Sequence, residues 1–150
     1  MAAFLGRDPS QARSLLAGVG VRILRIDDPD RDAVLGEVLG DATDERGRIV
    51  AEPPADEAAA ATGMGAWHRN SVNEFHTVLD GRGIVEFVTA DGPVSVLLTS
   101  GDIMAVERAE HRYRPLSPQG WVLRFGGPAD GGLESTDTGR AAARWPDPAN

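Results

Sequence analysis

EFHTVLDGRGIVEFVTADGPVSVLLT, residues 74–99, reads as three short strands joined by two tight turns. Residues 74–79 end at Gly81-Arg82-Gly83, where glycine accepts the dihedral angles that a reversal needs. Residues 84–89 are β-branched and aromatic, and Asp91-Gly92 is a strong hairpin signal before residues 94–99. The pattern continues outward. Ser100-Gly101 turns the chain into 103–106, a short strand at 111–114 stops at Pro115, and 121–125 forms the last. Short strands at this even spacing predict a sandwich or a barrel. Residues 66–126 are therefore expected to form a small antiparallel β-barrel.

Upstream, the pattern changes to helix. Ser10 is placed to cap a helix through Leu15, Leu16 and Ala17 that Gly18 and Gly20 end. Residues 21–26 read as a strand. Asp28-Pro29 opens a second helix with Asp28 as N-cap, and Ala33, Val34, Leu35, Val38 and Leu39 give it an apolar stripe. Pro53-Pro54 opens a third, alanine-rich helix that Gly63 and Gly65 terminate. Residues 1–65 are thus expected as a helical part with one strand. Residues 127–150 show no periodicity and are expected as an irregular tail, wrapped on the surface or disordered. The whole is one domain with no internal repeat.

Composition excludes several classes. The 150 residues carry 15 basic and 23 acidic side chains, a formal net charge of −8, which argues against nucleic acid and against an anionic membrane surface as partners. There is no cysteine, so disulfides, thiolate metal sites and cysteine nucleophiles are excluded. The first residues lack the charged start and long apolar stretch of a secretion signal, and no run approaches a membrane span. A cytoplasmic protein, monomeric or homodimeric, is the expectation.

The three histidines, His68, His76 and His111, all lie in or beside the expected barrel. In a strand, residues two apart share a face, so His68 pairs with Asn70 and Glu74 with His76. A straight strand would hold His68 about 20 Å from Glu74. They meet only if Asn70-Ser-Val-Asn73 turns the chain. With His111 from a later strand, two imidazoles and a carboxylate match the facial triad of non-heme Fe(II), which also suits Ni, Mn or Zn and leaves positions open for substrate. The plainer reading is a cross-strand pair of His68 with Glu74 and a solvated His76.

His68-x-Asn70, then Glu74, then Gly81 keep the spacing of the first cupin motif except for its second histidine. Gly101-Asp102 through His111 has the form of the second motif. The chain thus resembles the cupins, and among them the acireductone dioxygenases, as a divergent member. LLAGVGVRILRIDDPDRDAVLGEVLG, residues 15–40, is similar to that family's amino-terminal half, residues 74–83 to its E-x-R-x-x-x-x-G-x-G segment, and residues 122–126 to the strand after its last ligand. The resemblance implies a double-stranded β-helix, a jelly-roll-like barrel behind N-terminal helices. It also implies Fe(II) or Ni(II), with Mn(II) or Zn(II) as further options, held at His68, Asn70, Glu74 and His111. Two positions depart from the family: Asn70 stands where an imidazole is usual, which leaves open three protein ligands or His76 as the fourth in its place, and His76 stands where an arginine contributes to the substrate site.

The resulting expectation is a metal-dependent, dioxygenase-like enzyme acting on a small enediol or keto-enol substrate other than acireductone. Glu74, His76, Tyr113 and Arg124 are the catalytic candidates, with Arg114 as a second candidate cation. The alternatives are a non-redox isomerase, cyclase or lyase, and a small-molecule-binding cupin without chemistry.

Overall fold

The computed structural model describes residues 1–40, 43–128 and 134–148. In chain order these form β1 (Ala3–Phe4), α1 (Pro9–Ala17), β2 (Val21–Arg25), α2 (Arg31–Leu39), β3 (Thr43–Ala51), β4 (His68–Asn70), β5 (Glu74–Asp80), β6 (Arg82–Thr89), β7 (Gly92–Thr99), β8 (Asp102–Val106), β9 (His111–Pro115), β10 (Trp121–Pro128) and β11 (Ser135–Asp137). The strands make two antiparallel sheets, ordered β1-β7-β6-β9-β4-β11 and β2-β8-β5-β10-β3. From β4 onward the chain crosses between the sheets repeatedly, only β6 and β7 being consecutive in one sheet. This is the double-sheet barrel that the strand spacing predicts.

The two inner faces bury the main core, in which Val78, Phe87, Leu98, Met104, Trp121 and Leu123 are almost wholly shielded. Gly83 shows why glycine follows the first turn: a Cβ there would lie 2.4 Å from the Trp121 ring. Gly81 takes φ +76°, with the Gly120 carbonyl against the place of its missing side chain.

The amino-terminal part differs from expectation in three ways. First, the helix starts shift. α1 is capped by Asp8, whose carboxylate accepts the Gln11 N–H at 3.0 Å, with Pro9 next, so Ser10 lies inside the helix. Asp28 accepts from the Asp30 N–H in a local turn, and α2 begins only at Arg31. Second, the alanine-rich segment makes two 3-10 turns, Ala59–Ala61 and Gly63–Gly65, instead of a third helix. Gly65 sits so close to the Ala60 carbonyl that a side chain would overlap it, which fixes a tight bend. Third, β3 is an unexpected strand, paired with β10 from Trp121↔Ala51 to Pro128↔Thr43. Residues before 66 therefore supply β1, β2 and β3 to the sheets, and the strands are not confined to 66–126.

In the tail, β11 pairs with β4, and the buried Trp145 donates its indole N–H to the Ala60 carbonyl at 3.1 Å. β11 is thus a strand within the stretch expected to be irregular, and the segment from 138 to 147 that follows it has no regular structure. Residues 129–133 and 149–150 of the expected irregular tail lie outside the described residues. No helix among the described residues is long and apolar enough to cross a membrane.

Candidate metal centre

One end of the barrel gathers the polar side chains. β4 and β9 place His68 directly opposite His111 in register, with ring centroids 4.5 Å apart. The chain bends at Ser71-Val72 and re-enters the other sheet as β5, bringing Glu74 and His76 to face them. Asn73 fastens this corner by donating to the Val38 carbonyl at the end of α2, at 2.7 Å. Tyr113, two residues beyond His111 on β9, completes the cluster. His68, Asn70, Glu74, His76, His111 and Tyr113 are all buried.

The contacts centre on Glu74. Its Oε1 accepts from Asn70 Nδ2 at 2.5 Å and lies 3.5 Å from His111 Nε2. Its Oε2 lies 3.3 Å from His76 Nε2. The Tyr113 hydroxyl is 3.4 Å from that same nitrogen. Two backbone carbonyls orient the other imidazoles. His68 Nδ1 donates to the Ala66 carbonyl and His111 Nδ1 to the Ala109 carbonyl, both at 2.7 Å. A carbonyl only accepts, so Nδ1 carries a proton in both rings, and Nε2 is bare wherever the ring is neutral.

Burial shifts the ionisations. It holds His111 neutral, with its pKa lowered to about 4 against the pull of the Glu74 charge. Burial also pushes the Glu74 carboxyl up, but hydrogen bonds from His76 and Asn70 and the nearby imidazoles outweigh it, and its pKa falls. Tyr113 is raised well above the usual phenol range, by burial first and the Glu74 charge second.

As the side chains stand, no group of three or more His, Asp or Glu residues among the described residues converges to hold a metal ion. The contacts are pairwise, on the carboxylate. One pair nonetheless lacks something between its members. His111 Nε2 is buried and without a hydrogen-bond partner, and it faces Glu74 Oε1. Two lone pairs confront each other there. Two donors about 2.0–2.1 Å from one tetrahedral ion stand about 3.4 Å apart, close to the spacing observed. The donor set, bare imidazole nitrogens beside a carboxylate, fits a divalent cation of the Fe, Ni, Mn or Zn type.

A cavity of about 220 Å³ opens on the cluster. His68, Asn70, Glu74, His76 and Tyr113 line it together with Ile49, Met64, Leu123 and Ser135. Sequence reasoning missed these last four. Ile49 lies on the unread β3 and Ser135 on the unread β11, while Met64 sits in the segment read as helix. Only Leu123 had a signal, the alternation of β10. The same alternation corrects the expectation for Arg124. It stands between Leu123, which lines the cavity, and Phe125, whose ring stacks 6.2 Å from His76, and it is not in the lining. Arg114 is also outside, where it grips Glu57 with two hydrogen bonds at 3.0 and 3.2 Å. The polar end of the cavity holds no arginine or lysine among its described lining residues.

Two antiparallel sheets closed around a buried core have the fold of the cupin barrel, and the expected resemblance is borne out at the level of the fold. The acireductone dioxygenase of Bacillus anthracis, solved with a cadmium ion in its active centre, superposes with a TM-score of 0.56 at 16% identity, over 86% of this chain and 93% of that one. The oxalate decarboxylase of Bacillus subtilis gives 0.48 at 13% identity, over 79% of this chain but only 27% of the other. No family model and no curated protein sequence matches the chain.

Proposed function

We propose that this protein is a metal-dependent cupin enzyme acting on a small enediol or keto-enol compound in the cavity beside Glu74. The observation that carries the proposal is the buried confrontation of His111 Nε2 with Glu74 Oε1 at 3.5 Å, beside His68 with its similarly anchored ring. His68, Glu74 and His111 would hold the ion, with Fe(II) or Ni(II) as the first choices. A bound divalent ion supplies Lewis acidity, lowering the pKa of a chelating hydroxyl and stabilising the enediolate charge.

The chain's own groups divide the remaining work. His76 Nε2, between Glu74 Oε2 and the Tyr113 hydroxyl, is placed to hand its proton to the substrate and recover it. Tyr113, kept un-ionised by its surroundings, offers its O–H to a substrate oxygen. Ile49, Met64 and Leu123 pack the non-reacting part and limit water. With no cation in the described lining, an anionic substrate would rely on the metal alone, which supports a substrate other than acireductone at a site lacking the family's arginine.

The test is elemental analysis of purified protein followed by turnover of a panel of enediols and α-hydroxyketones, with O₂ uptake recorded. One metal per chain and O₂-coupled turnover support the dioxygenase-like reading. Turnover without O₂ uptake selects an isomerase, cyclase or lyase, a second reading favoured by the position of His76 between an acid and a carboxylate. A chain that binds no metal after incubation with Fe(II), Ni(II), Mn(II) or Zn(II) ends the proposal.

A further inference from the structure

We propose that β11 is a movable lip of the barrel, and that a small molecule reaches the cavity when Glu134–Asp137 swings away from β4 while the rest of the tail stays fastened. A lip that opens is independent of what the cavity binds, so failure of the metal-dependent reading would leave it standing. His68 is 6% exposed, His76 7% and Tyr113 6%, although all three line the cavity. The groups at the polar end thus present almost no surface to solvent, and an incoming molecule needs part of the wall to give way. The walls are not held equally. Leu123 stands on β10, which has a partner strand on each side. Ile49 stands on β3, which pairs with β10 through eight residue pairs. Met64 stands in the bend at Gly65, where the Trp145 indole from the tail pins the Ala60 carbonyl. Ser135 stands on β11, which lies at the edge of its sheet, pairs only with β4 and does so through three residue pairs. Every residue from 134 to 137 is exposed. An edge element with no buried side chain belongs to the low-stability end of a fold.

The two ends of this strand differ. Beyond its carboxyl-terminal end the chain is anchored. Thr138 gives its backbone N–H to the Trp67 carbonyl at 3.0 Å, and Arg140 grips the buried Glu110 at 2.9 and 3.0 Å. Further on, Trp145 lies 3.9 Å over the buried Arg112 guanidinium. The other end is held at Ser71, an exposed residue. Its N–H donates to the Glu134 carbonyl at 2.8 Å, and its hydroxyl accepts the Glu134 N–H at 2.9 Å. Ser71 is thus the latch and Thr138 the hinge. Ser135, opposite Asn70 in register, leaves the cavity lining when the lip swings out.

The chain has no cysteine and no lysine, so an engineered disulfide is unambiguous and diethyl pyrocarbonate, which acylates neutral imidazole, has few competing targets. His68 and His76 line the cavity and His111 does not. Backbone bonds at 67–138 and 71–134 make the exposed Arg69 and Thr136 a hydrogen-bonded pair, with Cα atoms about 5.5 Å apart, inside the range of a disulfide. The double variant Arg69→Cys, Thr136→Cys, once oxidised, ties the lip down. The reagent is added to the full chain at pH 7 with EDTA present, and acylation of each histidine is followed by mass spectrometry. In the wild type His68 and His76 should react ahead of His111. The disulfide should slow both by about tenfold or more, and reduction, with the reductant then removed, should reverse this. Ser71→Ala, which loses half of the latch, should speed them about 2–10-fold. Three histidines reacting at one rate would mean that the chain opens as a whole. Oxidised and reduced forms of the double variant reacting alike would mean that the way in lies elsewhere. Either result overturns the lip, and where the disulfide does not form, unchanged rates in Ser71→Ala overturn it by themselves.

Discussion

Glu74 is the residue on which the site turns, because Asn70, His76 and His111 all address its carboxylate. Removing it deletes a proposed ligand and strands Asn70 Nδ2 and the His76 proton in a buried space. Glu74→Ala should therefore abolish both metal binding and turnover. His76→Ala should separate the two. It should lower turnover by roughly 100-fold or more, the usual weight of an acid–base group, while the metal stays bound. Stopped turnover assays beside elemental analysis decide it, and unchanged turnover in both variants would remove catalysis from this end of the barrel. Arg124, next to the cavity-lining Leu123 but not itself in the lining, is expected to matter little to turnover. The histidines and Glu74 were legible because residue type and period-2 spacing carry the information. The standing of Asn70 was not, since only the contact with Glu74 shows which end of its amide is used.

Among the elements, those with a local cause could be read from the chain. The β5–β6 turn follows from Gly81 and Gly83, and the β6–β7 hairpin from Asp91-Gly92. β3 could not be read, because Thr43-Asp-Glu-Arg-Gly-Arg48 has the composition of a solvated loop. It is an edge strand paired on one side only, and β10 supplies the order that its own residues do not. The alanine-rich segment failed for the opposite reason: helix propensity was present, but the chain folds back tightly at Gly65 and the Ala60 carbonyl is taken by the Trp145 indole N–H from the tail. The tail is fastened by single side chains that have no period. Trp145 lies 3.9 Å over the buried Arg112 guanidinium, and Arg140 grips Glu110 through bonds of 2.9 and 3.0 Å. A test at this scale is Gly83→Ala. The added methyl meets the face of Trp121, which is fully buried and cannot retreat. The cost should be about 1–3 kcal/mol, read as a lower midpoint of urea unfolding at unchanged slope. A midpoint equal to wild type would mean that β6 and β10 do not approach as closely as described.

For the whole molecule, burying the His111 imidazole in its neutral form in the end of a closed barrel ties stability to pH. His111 has its ordinary pKa of 6.5 once the chain is unfolded, but about 4 in the fold, chiefly through burial. Between these values the unfolded chain binds a proton that the folded one refuses, so stability rises with pH across the interval. The contribution is complete above 6.5, falls as pH drops toward 4, and is flat below. The span corresponds to about 3 kcal/mol. At pH 5 the metal-free protein should melt roughly 4–8 °C below its value at pH 7. Glu74 acts further down: its lowered pKa gives stability present above 4.5 that is lost as pH falls through the folded value. Since a ligand imidazole must be unprotonated, metal should leave over the same acidic range, and restoring pH 7 should restore it. The control is His111→Gln, which removes the titrating ring while keeping a polar side chain of similar reach. Its melting temperature, whatever its absolute value, should change much less between pH 7 and pH 5. If the wild type melts at one temperature from pH 7 to pH 4, or if His111→Gln keeps the full slope, the buried neutral state of His111 is not what links this barrel to acid.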